Sequence, residues 1–192
     1  MVGSFTNSNN NLSVFLGDGN GGFGSPTLVN SGGSVPSNVA VADFNGDGDL
    51  DIATANYSSD TVSILLGDGD GTTFTQANNS PLGVGNSPFA IAPADFNGDG
   101  FLDLAVANFY IDDTVSILLG GGDSTFTEEA SSPLGVGNEP ISLAVADLNG
   151  DGRPDLAVAN SEDDNVRRFA PARAARARVG QESCLPYLSE SR

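Results

Sequence analysis

Three segments of this chain combine acidic and amide residues at a spacing that suits a hard cation. Each follows the pattern Asp-x-Asn-x-Asp-Gly-x-x-Asp, and the copies begin at residues 43, 95 and 147, 52 residues apart. Calcium takes about 6–8 oxygen ligands, and binding loops supply them from alternate residues around a tight turn. A glycine after the third ligand permits that turn. The pattern therefore predicts three calcium loops with one Ca²⁺ each.

The expected ligands are the side-chain oxygens at loop positions one, three, five and nine and the backbone carbonyl at position seven. In chain order they are Asp43, Asn45, Asp47, Asp49 and Asp51; Asp95, Asn97, Asp99, Phe101 and Asp103; and Asp147, Asn149, Asp151, Arg153 and Asp155. The seventh position varies among Asp49, Phe101 and Arg153, as expected of a residue that contributes only its carbonyl.

Two other interpretations of the loops were weighed. An EF-hand needs a Glu at position twelve, but Thr54, Val106 and Val158 stand there, and the flanking apolar runs favour strands. Each loop is therefore expected to connect a β-hairpin. An Asx-rich turn without metal is the alternative. Each loop gathers at least three carboxylates within nine residues, and their mutual repulsion favours a cation among them.

Composition excludes several functional classes. The chain has 192 residues and a net charge of −18, so nucleic acid and anionic membrane surfaces would be repelled. No apolar run reaches the roughly 18–20 residues of a membrane span, and no leader peptide is visible at Met1. Histidine is absent and Cys184 is the only cysteine, so no catalytic group is evident and a non-enzymatic protein is expected.

Two glycine-rich turns are assigned to structure. Residues 17–22 satisfy Gly-x-Gly-x-x-Gly, but a dinucleotide site needs a helix after that turn. Phe23 and Pro26 begin a strand instead, so a hairpin turn is expected. Asp68 and Asp70 lie in the equivalent turn of the next repeat, and we interpret it as a solvated turn.

The repeat extends beyond its loops. Thr-Val-Ser-Ile-Leu-Leu-Gly occurs at 61–67 and 114–120, and Ser-Pro-Leu-Gly-Val-Gly-Asn at 80–86 and 132–138. Each unit is predicted to form four short strands, and a period near 50 with four strands suits a β-propeller blade. The fold class is all-β, with about three blade equivalents. The predicted units are residues 1–34 (the second half of a blade), 35–86, 87–138 and 139–166 (the first half of a blade).

The motifs resemble the FG-GAP/VCBS repeats of integrin α-subunit propellers and of many secreted bacterial proteins. The resemblance rests on Ala-Asp-Phe/Leu-Asn-Gly-Asp-Gly at 42–48, 94–100 and 146–152 and covers about residues 2–166. It implies a propeller with calcium loops at one rim. Ala55-Asn56 and its equivalents replace the Gly-Ala-Pro of integrin-type repeats. The chain therefore resembles the bacterial variety, and an integrin-like ligand site is not carried over.

The ends of the repeat array are predicted to be half blades, one with strands three and four and the other with strands one and two. Our hypothesis is that the halves pair between chains in a homo-oligomer; a fragment of a larger propeller is the alternative. Strand three of the last unit is expected to stop after Val166. Residues 167–192, which hold six of the seven arginines, are expected to be an atypical, disordered or out-of-frame tail.

The expected function is a calcium-binding repeat module of an extracellular bacterial protein, used in adhesion or in binding a protein or glycan. Calcium sites of extracellular modules bind at about 10⁻⁴–10⁻³ M, which together with the resemblance indicates a secreted or cell-surface location. Two alternatives stay open. One is a lectin-like propeller with Phe5, Tyr57, Phe109 and Tyr110 near its ligand, and the other is an accessory domain of a secreted hydrolase.

Overall fold

The computed structural model describes residues 10–162 and the backbone of residues 166–169. This part of the chain forms strands and turns and no helix, and the strands build four antiparallel sheets. The prediction of an all-β fold of blade-like sheets is confirmed. Within the described residues there is consequently no helix long and apolar enough to cross a membrane.

Each sheet is one unit of the repeat, and its strands follow each other in chain order. Unit 1 has β1 (Asn11–Val14) and β2 (Thr27–Asn30); unit 2 has β3 (Pro36–Ala42), β4 (Asp51–Asn56), β5 (Thr61–Gly67), β6 (Phe74–Gln76) and β7 (Leu82–Gly83); unit 3 has β8 (Pro88–Ala94), β9 (Asp103–Asn108), β10 (Thr114–Gly120), β11 (Phe126–Glu128) and β12 (Leu134–Gly135); unit 4 has β13 (Pro140–Ala146), β14 (Asp155–Asn160) and β15 (Val166–Phe169).

The fourth strand of each inner unit is split in two. In unit 2, β6 pairs with the end of β5 and β7 pairs with its beginning. Between them the chain leaves the sheet, and the hydroxyl of Ser80 accepts the Ile64 N–H at 2.9 Å. Ser132 does the same for Ile117 at 3.0 Å in unit 3. The repeated Ser-Pro-Leu-Gly segment thus replaces one ladder bond, which the sequence pattern did not reveal.

Unit 4 corrects one prediction. Strand three was expected to stop after Val166, but β15 continues to Phe169 and pairs with β14, with Leu156 opposite Phe169. Backbone pairing with β14 does not require the Leu-Leu-Gly side chains that the sequence lacks here. In the described part of the chain, unit 4 therefore has three strands rather than the predicted two. Residues 170–192 of the predicted tail, with Cys184, lie outside the described residues, as does Phe5.

The hydrophobic core lies between successive sheets. Both faces of β4 and β9 are covered, and all six residues of each strand are buried. One cluster joins each pair of neighbours: Leu12 and Val29 with Ile52 and Leu65 between units 1 and 2; Ala53, Val62 and Ile64 with Leu104, Val106 and Leu118 between units 2 and 3; and Ala105, Val115 and Ile117 with Leu156 and Val158 between units 3 and 4. The sheets are therefore stacked face to face, as blades are.

A repeated hydrogen bond also links each unit to the next. In the turn before strand three, a side-chain oxygen accepts the backbone N–H of the residue that precedes the next unit's first strand. The acceptors Asn10, Asp60 and Asp113 bind the N–H groups of Val35 at 3.4 Å, Ser87 at 2.8 Å and Glu139 at 2.8 Å. These hydrogen bonds position the start of each unit's first strand. They lie at the end of the sheets opposite to the acidic loops.

The glycine that ends strand three allows close approach of two backbones. A Cβ on Gly120 would collide with the carbonyl oxygen of Leu102, and one on Gly67 with that of Leu50. We predict that Gly120→Ala lowers the free energy of unfolding by about 1–3 kcal/mol. Chemical denaturation with urea measures the change. Gly135→Ala is the control, because a Cβ there meets nothing within 4 Å. Equal stability of the two variants would contradict the prediction.

Candidate metal centres

The three acidic loops occupy equivalent places at one end of the sheets. Each connects the first strand of a unit to the second: residues 43–50 join β3 to β4, residues 95–102 join β8 to β9, and residues 147–154 join β13 to β14. The expectation of a hairpin connection is confirmed, and the predicted ligands at positions one, three, five and seven of each copy lie in the connecting loop, with the ninth position at the start of the second strand.

The first aspartate of each loop organises the turn. Asp43 accepts the N–H of Gly46 at 2.7 Å with one oxygen and that of Gly48 at 2.9 Å with the other. Asp95 and Asp147 repeat both bonds with their own glycines. Both glycines of each loop have a positive φ, such as 77° at Gly46 and 94° at Gly48, which residues with a Cβ rarely adopt.

The third and fifth positions form Asx turns. Asn45 accepts the N–H of Asp47 at 3.0 Å, and Asp47 accepts the N–H of Asp49 at 2.8 Å. The other loops repeat this pattern. The seventh residue therefore donates its N–H to the side chain of the fifth. Its own side chain points away from the loop, so that Asp49 packs against Gly69 and Phe101 against Gly122. The Asx turns that the alternative interpretation, a turn without metal, expects are thus present in all three loops.

The ninth aspartate is buried and ties the loop to the sheet. Asp51 accepts the N–H of Phe44 and the N–H of Gly67, both at 2.9 Å, so it links the loop to the end of β5. Asp103 makes the same two bonds with Phe96 and Gly120 at 2.8 Å. In unit 4, Asp155 accepts the N–H of Leu148 at 2.9 Å. The glycine partners were not foreseen from the sequence, although they end each Leu-Leu-Gly run.

The electrostatics differ between the first and ninth positions. Burial raises the pKa of Asp51 above its ordinary value; the N–H groups of Gly67 and Phe44 oppose the rise, and the nearby carboxylates of Asp47 and Asp43 add to it. Burial likewise raises the pKa of Asp103. The hydrogen bond from the Gly152 N–H lowers the pKa of Asp147. Each loop thus places a buried carboxylate beside exposed ones.

The donor set fits calcium in its chemistry. It consists of carboxylate, amide and carbonyl oxygens, the ligands that Ca²⁺ prefers. As placed, the carboxylates accept N–H groups of the chain, and the described residues hold no group of three Asp, Glu, His or Cys side chains arranged to bind a metal. A carboxylate offers about four lone-pair sites, and Asp95 and Asp147 each accept three N–H groups, so capacity for a cation remains.

The turn of residues 17–22 is a hairpin, as expected. Gly17 pairs with Phe23, and the Asp18 N–H binds the carbonyl of Gly22 at 3.0 Å. Its aspartate accepts the N–H groups of Asn20 and Gly22, and the Asn20 hydrogen bond, the largest influence, lowers the pKa of Asp18. No helix follows, so the phosphate-binding interpretation of this motif has no structural basis.

Sequence reasoning overlooked a polar cluster at the opposite end of the strands. Asn56, the last residue of β4, is buried and donates from its amide to the hydroxyls of Ser63 at 2.9 Å and Thr61 at 3.3 Å. Asn108 repeats the arrangement with Ser116 and Thr114 at 3.0 Å. The recurrence of Asn at the end of strand two and of Thr-x-Ser in strand three is the signal that could have revealed it.

The family comparison agrees with this repeat geometry. A model of the FG-GAP-like repeat matches residues 2–54, 43–106 and 95–158, and each match includes at least one acidic loop. The chain belongs to the FG-GAP-like repeat family. A search among curated proteins finds no match. Members of this family are generally non-enzymatic repeat modules. The antiparallel, blade-like sheets of this chain agree with membership of the family.

The two kinds of loop aspartate should respond differently to removal. We predict that Asp103→Ala, in metal-free buffer, lowers the free energy of unfolding by about 1–3 kcal/mol, because the buried N–H groups of Phe96 and Gly120 lose their acceptor. Asp99→Ala should cost less, since water can replace an exposed acceptor. Urea denaturation monitored by circular dichroism compares them. A larger loss for Asp99→Ala would refute the role of Asp103 as the link to β10.

Proposed function

We propose that the chain is a non-enzymatic, calcium-stabilised propeller module that acts outside the cell in adhesion or ligand binding. The observation that carries the proposal is the threefold recurrence of one loop architecture. Each copy has a first aspartate held by two glycine N–H groups, two Asx turns and a buried ninth aspartate. Position for position, these are the oxygen donors that a calcium loop needs.

The proposed mechanism is a coupling of ion binding to folding. When bound, one Ca²⁺ per loop supplies positive charge among carboxylates that otherwise repel each other. Asp43, Asn45, Asp47 and Asp51, together with the carbonyl of Asp49, would hold the first ion, and the equivalent residues would hold the other two. The ninth aspartate would transmit the constraint to the sheet through the Gly67 or Gly120 N–H.

The affinity range expected for such loops supports an extracellular location. Sites with dissociation constants of about 10⁻⁴–10⁻³ M fill where calcium is millimolar and remain mostly empty in a cytosol. A module that calcium stabilises only outside the cell suits adhesion or ligand binding at the cell surface. The acidic body, with its net charge of −18, supports a partner other than nucleic acid.

Calcium should stabilise the folded protein. At ~10 mM free Ca²⁺ each site of this affinity contributes about 1.4–2.7 kcal/mol. Three sites would then raise the melting temperature by roughly 10 °C or more for a chain of this size. Thermal unfolding in CaCl₂ and in EGTA measures the difference. MgCl₂ at the same concentration should give a smaller gain, because Mg²⁺ demands octahedral geometry. Identical melting in CaCl₂ and EGTA would refute calcium binding.

A variant in one loop should remove part of that gain. Asp95→Ala deletes a ligand of the second ion, so we expect the calcium-dependent rise in melting temperature to fall by about a third when the three sites contribute equally. Asp68→Ala is the matched control, because Asp68 lies in an exposed turn outside the three loops and accepts the Asp70 N–H at 3.2 Å. Equal calcium gains in the two variants would place the ions elsewhere.

Carbohydrate binding is a second candidate, favoured by an aromatic cluster at the end opposite the loops. Tyr57, Phe89 and Phe109 are half-buried, with ring centroids 5.4 Å apart for Phe89 and Phe109 and 6.4 Å apart for the two pairs that include Tyr57. Aromatic faces at a surface can stack on sugar rings. A glycan array that binds the native protein and loses binding with Phe109→Ala would favour this candidate over protein adhesion.

A further inference from the structure

Among the described residues, the outer face of unit 4 exposes apolar residues at positions that are buried in an internal interface. Phe44, the second residue of its loop, is 3 % exposed, and its ring meets Phe126 of unit 3 edge-on with centroids 6.1 Å apart. Leu148 stands at the same position in unit 4 and is 43 % exposed. Nearby, Ala144 is exposed whereas its equivalent Ala40 is buried. We call Leu148 and Ala144 the trailing face.

The outer face of unit 1 is the other half of the same interface. Phe126 is placed by its pairing with Gly120, and Phe23 by the equivalent pairing with Gly17. Phe126 is 8 % exposed, whereas Phe23 is 73 % exposed. Phe15 precedes Gly17 as Leu65 precedes Gly67; Leu65 is 2 % exposed and Phe15 is 49 % exposed. We call Phe15 and Phe23 the leading face.

We propose that the trailing face of one copy of this chain docks on the leading face of a second copy, head to tail. Leu148 then contacts the partner's Phe23 in the way that Phe44 contacts Phe126 within the chain. The internal interface between units 2 and 3 is the template for this contact, and one chain carries both of its halves. That continuity identifies the occupant as a second copy.

The geometry of such a contact favours a closed pair. Head-to-tail interfaces generate rings when the rotation between copies closes. In a closed pair the described units of two copies would form one ring of sheets, with the two-stranded and three-stranded sheets at the proposed contacts. Face-to-face stacking differs from the edge pairing predicted from the sequence, and it does not depend on the number of strands in unit 4. It also does not depend on calcium ligation.

The negative charge of each copy opposes the association and should make it depend on salt concentration. Each copy has a net charge of −18, while the side chains that define the two faces are uncharged. Repulsion between the acidic bodies is screened by salt, whose Debye length falls from about 10 Å at 0.1 M to 3 Å at 1 M. Dimerisation driven by these faces should therefore strengthen as NaCl increases, whereas association through salt bridges would weaken.

Sedimentation velocity of the full chain tests the proposal. Between about 5 and 200 µM the native protein should pass from monomer to dimer, at a lower concentration in 0.5 M than in 0.1 M NaCl. Leu148→Asp and Phe23→Asp should each be monomeric throughout. Ile111→Asp is the control, because Ile111 is also exposed but lies in the turn between β9 and β10. Circular dichroism checks that all variants fold.

Mixing the two monomeric variants makes the test specific. The Leu148→Asp copy keeps an intact leading face and the Phe23→Asp copy an intact trailing face, so an equimolar mixture should form a dimer through one interface. A native protein that is monomeric at all concentrations would overturn the proposal, as would a mixture that stays monomeric. Dimerisation of Phe23→Asp alone would also overturn it, because the trailing face would then bind itself. Parallel runs in CaCl₂ and EGTA separate this outcome from that of calcium binding.

Discussion

The structure depends above all on covering both faces of each small sheet. A small sheet gains stability by burying its apolar faces, and an isolated sheet of two strands is marginally stable at best. In this chain the residues of β4 and β9 are buried on both sides, because the sheets before and after them supply the covering side chains. The face-to-face stacking of the units is therefore the main constraint on the structure. It determines where the loops, the turns and the exposed faces lie.

Two repeated sets of hydrogen bonds from aspartates order the two opposite ends of the sheets. At the loop end, the buried aspartates Asp51 and Asp103 bind N–H groups from the loop and from strand three. At the other end, Asp60 and Asp113 bind the N–H that precedes the next unit's first strand. The first set acts within a unit and the second between units. The proposed calcium sites would add to a hairpin that is already organised by hydrogen bonds.

The same constraint connects the proposed function with the proposed assembly. Within the described residues, the outer faces of units 1 and 4 expose apolar residues whose counterparts inside the stack are buried. Inside the stack the equivalent residues are covered by the neighbouring unit, and in the proposed assembly a unit of a second copy would cover those at the outer faces. A module with a calcium ion at each loop and a second copy at its outer faces would present each repeated surface several times.

The sequence alone determined the all-β class, the hairpin loops and the spacing of oxygen donors within them, because these depend on local patterns: alternation of apolar residues, glycines where φ must be positive, and Asp and Asn residues at fixed spacing. The continuation of β15 to Phe169, the pairing of Asp51 with Gly67 and the capping of Ser87 by Asp60 were decided by the tertiary structure. Backbone pairing tolerates many side chains, and a buried carboxylate bonds whichever N–H the fold brings near. Such partners lie far apart in the chain, so residue type and spacing could not identify them.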